Sequence, residues 1–390
     1  MEQLSKYMSD SMISDMRDPY PIFAELRRSQ PVMLSEQWGR QYYLLTRYVD
    51  VDAVLKDADL YSNRCVADAM GPVMGRTILE MDGRTHTAHR GLVAHAFKPA
   101  AIADYARTLV APIVDEMIGC LEAAGHGELV SQFTAGFPLK VIAGLLGVPI
   151  RDQESFAKWA FDINEFAVAP EKGLASSRAL KEYLEPIVTE RKREPRGDLI
   201  SLLLAAEADG QRLSDEDIYA FCRLLIPAGA ETTFRFLGNM IHCVLAHPDQ
   251  FDELREDRSL LDAAMDETLR YECPLLFTSR ETTRATQVRG VDIPTGALVA
   301  TCLGSANRDD EHFSSPETFD IHRGATDYVS FGVGKHFCLG YHLARLEVST
   351  AMTALMDRLP NLRLDRSRDS YIVGMTFRSP KALHVKWDPR

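Results

Sequence analysis

Residues 331–340 read Phe-Gly-Val-Gly-Lys-His-Phe-Cys-Leu-Gly and set one cysteine among glycines and a histidine, just before a helical pattern running from Leu339 to about Arg358. A thiolate ligand has to stay deprotonated, and a sulfur at a helix N-terminus gains that from unpaired N–H groups and the positive end of the dipole. Gly332 and Gly334 permit close backbone approaches, Phe331 can shield the sulfur from water, and Gly340 leaves room for a flat cofactor. Phosphate binding does not suit these glycines. A P-loop requires glycine where Val329 stands and Ser or Thr where His336 stands, and a dinucleotide fingerprint requires glycine at Phe337. Structural zinc takes about four N or S ligands, and this loop offers only His336 and Cys338. One thiolate suits haem iron.

This stretch resembles the haem-binding signature of the cytochrome P450 family, Phe-Gly-x-Gly-x-His-x-Cys-x-Gly, at every fixed position. A lone cysteine is more often an inert core residue, but the glycine and histidine framework has no use in that case. The resemblance implies a mainly α fold with minor β, one large domain over residues 1–390, and a long central helix over the haem. It implies haem b (iron protoporphyrin IX) on Cys338, with Phe331, Gly332 and Gly340 around it. Dioxygen is then the co-substrate, and electrons come ultimately from NAD(P)H.

A capping box of Ser214 and Asp217 opens the clearest helix, which runs to about Ala246 before His247 and Pro248. At 1.5 Å per residue this segment is about 48 Å long, enough to cross the molecule. It contains Pro227, Ala228, Gly229, Ala230, Glu231, Thr232 and Thr233. Proline and glycine weaken the helix there, and Thr232 can either return its hydroxyl to a carbonyl four residues back or offer it to a ligand. The segment matches the family's alanine-glycine-x-acid-threonine motif. By that resemblance Ala228 and Gly229 border the cofactor, and Glu231 and Thr232 relay protons to the dioxygen being reduced.

Glu267 and Arg270 share a helix face. The same Glu-x-x-Arg spacing recurs at Glu25, Glu190 and Glu281, so spacing alone indicates only a solvated pair. Order along the chain selects Glu267 and Arg270, and the family's third partner falls on Arg323. The resemblance also gives His86, Arg90, Arg280 and His336 to the haem propionates. Where the family commonly carries a further arginine, this chain has Ala88, which shifts weight toward His89 or Arg280. Substrate contacts fall on Leu224, Leu225, Ala228, Leu275, Leu276, Phe277 and Met375, mostly apolar positions that suit a hydrophobic small molecule such as a terpenoid, steroid, aromatic or polyketide.

The chain has 390 residues, 46% hydrophobic, with 44 basic and 56 acidic side chains and a net charge of −12. That balance argues against nucleic acid. Seven cysteines without CxxC spacing fit a reducing compartment. No apolar run approaches a membrane span, and Met1–Asp10 lacks a signal-peptide pattern. A cytoplasmic monomer without membrane anchor is expected, and no fused reductase is visible. Ferredoxin and ferredoxin reductase are the expected electron donors, docking on a basic patch of Lys335, Arg345, Arg90 and Lys98. Two other classes use the same cysteine: a peroxide-driven peroxygenase, which does not need Glu231 and Thr232, and a non-catalytic haem-based ligand sensor, which needs only a ligand and a pocket.

Overall fold

Ser214 Oγ accepts from the Asp217 N–H at 3.2 Å, and the Asp217 carboxylate accepts from the Ser214 N–H at 2.9 Å. From this capping box a 32-residue helix runs from Asp215 to Ala246, with three acidic residues in its first turn facing the positive end of the dipole. It continues through Pro227 and is buried along most of its length. The computed structural model describes residues 16–37, 40–149, 153–208 and 211–389. Around the long helix pack the helices Phe137–Leu146, Gln153–Asn164, Leu261–Tyr271 and Tyr341–Arg358, enclosing the larger apolar core. Gly229 serves this packing. A Cβ there would come within 3.1 Å of Ile142, so the residue lets two helices approach. It stands one position, about 100° of helix, beyond Ala228.

A smaller core lies under a five-stranded sheet in the order Val32–Gln37, Arg40–Leu45, Leu298–Cys302, Phe277–Thr282, Tyr61–Ser62. All pairings are antiparallel except Arg40–Leu45 with Leu298–Cys302. A short hairpin pairs Thr286–Val288 with Val291–Ile293, turned by Arg289 (φ 48°) and Gly290 (φ 80°). His384–Lys386 pairs with Arg363–Leu364 and His126–Glu128. The cysteine helix starts at Tyr341, two residues later than its apolar pattern suggests. Among the described residues no helix is long and apolar enough to cross a membrane.

Glu267, Arg270 and Arg323 meet in the interior. Arg270 bonds both Glu267 oxygens at 2.7 Å, and Arg323 Nε lies 3.1 Å from Glu267 Oε2. The remaining guanidinium protons go to the carbonyls of Asn307, Pro316 and Thr318. Asn307 carries the connection to the cysteine loop: its Oδ1 accepts from the Val329 N–H at 2.8 Å and its Nδ2 donates to Ser330 Oγ at 2.7 Å. A second buried network joins Glu272 to Tyr20, Arg308 and Arg378. Removing one partner from such a pair strands a buried charge. Arg270→Ala should therefore lose about 3 to 5 kcal/mol in denaturant unfolding, whereas Arg28→Ala, which breaks the exposed pair with Glu25, should change stability by less than about 1 kcal/mol.

Candidate active site

The cysteine loop is held by its own backbone. The Cys338 N–H donates to the Phe331 carbonyl at 2.9 Å, and the Gly332 N–H donates to Val329 at 2.9 Å. Gly332 and Gly334 both adopt positive φ, 67° and 76°, a region that a Cβ disfavours. At Gly334 a Cβ would also come within 2.8 Å of the Leu55 carbonyl oxygen. Phe331 packs edge-on to Tyr341, ring centroids 4.9 Å apart, beside the half-buried Cys338. Beside Gly340 a Cβ would meet only Cys338 Sγ, at 4.0 Å, so one side of the sulfur stays open. Burial pushes the Cys338 thiol up, against the pull of the Gly340 N–H, the Arg90 charge and the Tyr341 N–H. A metal cation at the sulfur reverses that balance.

Four cationic or ionisable groups converge near this loop. His86 is 3% exposed and its Nε2 has no hydrogen-bond partner. Its ring lies 4.1 Å from that of His336, whose Nε2 is 3.4 Å from Asp82 Oδ1 without hydrogen-bond geometry. Arg280, 6% exposed, donates only to Thr278 Oγ1 and the Ser279 carbonyl. Arg90 Nη2 donates to the Phe337 carbonyl at 2.6 Å. Burial, reinforced by neighbouring positive groups, drives His336 down to about 4 and lowers His86; burial also lowers Arg280 and Arg90. Asp82 is the carboxylate closest to balancing them. His89 stands apart, its Nδ1 turned to the Thr85 carbonyl on its own helix at 3.0 Å. Among the described residues no group of three or more His, Cys, Asp and Glu side chains could hold a metal ion. The donor set thus fits a flat group that bears two carboxylates and takes a single sulfur ligand, as haem does.

On the long helix, Ala228 presents exposed surface and Thr232 is half-buried. The Thr232 hydroxyl donates to the Ala228 carbonyl at 2.9 Å, the back-bonded arrangement. Glu231 is 6% exposed. Its Oε1 pairs with Arg235 at 2.7 Å and its Oε2 accepts from the Asn164 side chain. Leu224 and Leu225 are buried, while Leu275 keeps accessible surface. Three wall positions turn elsewhere. Thr278 and Arg280 share one face of their strand through a side-chain hydrogen bond, and alternation sends Phe277 to the other face, where it packs edge-on to buried Phe23 at 5.9 Å. Leu276 is fully buried against Gly304, and Met375 is buried in the same core.

Arg345 also departs from expectation. It does not contribute a free charge to a docking patch, because Asp266 and Asp262 hold it, with Tyr328 beside it. Lys335 (3.4 Å from Asp59) and Lys98 are exposed.

A single cysteine beside an open face, a buried cationic cluster and a long helix with an acid and an alcohol define a helical haem-thiolate type of protein. Comparison with known proteins agrees. The family model "Cytochrome P450" matches residues 171–366. The chain is similar to cytochrome P450 107B1 of Saccharopolyspora erythraea, 36% identical over 90% of each chain. It is also similar to the vitamin D(3) 25-hydroxylase of Pseudonocardia autotrophica, 34% identical over 96% of this chain and 95% of that one. The crystal structure of CYP109E1 from Bacillus megaterium in complex with testosterone superimposes with a TM-score of 0.88 at 30% identity, covering 95% of this chain and 98% of that one. The chain belongs to the cytochrome P450 family, and its class is that of the P450 monooxygenases.

Because Arg345 neutralises Asp266 in a largely buried setting, Arg345→Ala should lower unfolding free energy by about 2 kcal/mol. Thermal denaturation of the variant checks this; an unchanged midpoint would return Arg345 to the list of docking residues.

Proposed function

We propose that the protein hydroxylates or epoxidises an apolar molecule of roughly steroid size, using haem held by Cys338, dioxygen, and electrons passed from NAD(P)H through a ferredoxin reductase and a ferredoxin. The observation that carries this reading is the cluster of Arg280, His86 and His336, which Asp82 alone among the described carboxylates approaches, beside a cysteine with one open face. Bound haem supplies an iron centre whose thiolate ligand favours O–O cleavage.

The chain's own residues do the rest. Arg280, His336, His86 and Arg90 would neutralise the two propionates, and Arg90 at the same time ties the cluster to the loop through the Phe337 carbonyl. Glu267, Arg270 and Arg323 support the loop from behind. Glu231 is the proton-entry carboxylate. Thr232 hands protons on by turning its hydroxyl from the Ala228 carbonyl toward the pocket, a rotation that costs about one hydrogen bond. Ala228 and Leu275 offer the substrate small or apolar contacts. Support for a steroid-like class comes from the relatives, one named for vitamin D(3) and one solved with testosterone. Lys335 and Lys98 are the basic side chains left to steer an acidic donor.

Three measurements test this reading. The carbon monoxide difference spectrum of dithionite-reduced protein should show a strongly red-shifted Soret band that Cys338→Ala abolishes; a folded, haem-loaded wild type without that band would end the thiolate assignment. Arg280→Leu should release haem to apomyoglobin about tenfold faster, the scale of a lost charge-assisted hydrogen bond, and an unchanged rate would remove Arg280 from the propionate set. Testosterone and cholecalciferol should each be tried by spin-state titration and product analysis. No shift and no oxidised product with either would redirect the substrate class away from steroids.

A further inference from the structure

Arg235 stands where the acid of the long helix meets the C-terminal turn. Its Nη2 pairs with Glu231 Oε1 at 2.7 Å, one helical turn back. Its Nη1 donates to Ser379 Oγ at 3.1 Å, and its guanidinium carbon lies 5.1 Å from the centroid of the Phe377 ring and 4.7 Å from that of Phe234. The side chain is 16% exposed. The turn it touches is rigid. Gly374 has φ 112°, and a Cβ there would fall 1.9 Å from the Phe377 carbonyl oxygen. Arg378 then clamps the turn by donating to the Gly374 carbonyl at 2.9 Å and pairing with Glu272 at 2.9 Å. Asn164, on the helix Gln153–Asn164, occupies the other Glu231 oxygen, and Phe161 of that helix meets Phe234 edge-on at 5.8 Å.

Glu231 is thus fixed at both oxygens, once from a helix and once through Arg235, which the C-terminal turn holds. A buried carboxylate held by one cation and one amide has a single orientation, and both fixing groups must be in place to keep it. We propose that Arg235 is a positioning residue for proton delivery, acting through Glu231 and aimed by Phe377 and Ser379. This rests on the reading of Glu231 as the proton-entry carboxylate. The chemistry asked of Arg235 is orientation and charge only; it stays protonated.

The test uses haem-loaded protein with a surrogate ferredoxin and reductase and no added substrate, so it does not depend on the substrate assignment. Oxygen consumption is followed in H2O and D2O for wild type, Arg235→Gln, Arg235→Lys, Glu231→Gln and the Arg235→Gln, Glu231→Gln double variant. Thermal midpoint and carbon monoxide spectrum serve as fold controls. Arg235→Gln should slow oxygen consumption about fivefold, the scale of coupling between touching charged residues, and enlarge the solvent isotope effect. Arg235→Lys should recover part of both. In the Glu231→Gln background, Arg235→Gln should add nothing. An Arg235→Gln effect that persists in that background, or a normal isotope effect in Arg235→Gln while Glu231→Gln is impaired, overturns the inference and leaves the relay standing. A normal isotope effect in Glu231→Gln itself removes the relay, and the inference with it. Should Arg235→Gln fail to load haem, Arg235→Lys carries the same comparison in both backgrounds.

Discussion

Buried polar groups that the polypeptide leaves short of partners at its centre are the constraint on which the rest of this structure depends. Arg280 is buried with only a hydroxyl and a carbonyl to receive its protons, His86 and His336 are driven toward their neutral forms, and the thiol of Cys338 is pushed up by burial. A protein selected for stability alone has no reason to keep such a set, since each member is a buried polar group short of partners. One ligand relieves all four at once if it brings two carboxylates to the cationic side and a metal cation to the sulfur. Gly340 leaves open space beside Sγ, room that such a ligand can use.

The frame around the site follows the opposite rule. Glu267 with Arg270 and Arg323, and Glu272 with Arg308, Arg378 and Tyr20, are ion networks in which each carboxylate oxygen has a donor and most guanidinium protons reach carbonyls. Arg308 is also sandwiched between two rings, 3.5 Å from the Tyr20 centroid and 3.7 Å from that of Tyr271. These networks hold charge away from water without needing a ligand, so they can fix backbone. Asn307 passes that fixity on, bonding the segment that feeds the cysteine loop. The loop, whose two glycines adopt positive φ, is thereby held by a scaffold that is electrostatically complete.

What could be read from the sequence was what lies close along the chain. The loop around Cys338, the capped helix from Asp215 and the alanine-to-threonine motif are contiguous, so residue type and spacing expose them. Glu267 and Arg270 emerged from order along the chain, because their spacing occurs elsewhere. Three of the revised placements, Phe277, Leu276 and Gly229, share one cause, which is rotational phase. Phe277 and Leu276 look like pocket walls until strand alternation and the gap at Gly304 turn them into core. Gly229 looks like a cofactor contact until Ile142 is found against it. Arg345 looked free because Asp266 is 79 positions away. The network of Tyr20, Glu272, Arg308 and Arg378 had no local trace at all, and neither did Asn307.

Phase also explains how one helix serves two chemistries. Measured from Ala228, Leu224, Thr232 and Arg235 fall within about 40° of the same line along the helix. The stripe is apolar at Leu224, small at Ala228, hydroxylic at Thr232 and cationic at Arg235, so polarity rises along a single face over about 16 Å. Charge and hydroxyl are confined to the later part, with Glu231 set just off the line and bound at both oxygens. The helix needs no break to do this, and it runs unbroken through Pro227. Separation of apolar from ionisable side chains is therefore a consequence of where they fall on one regular helix.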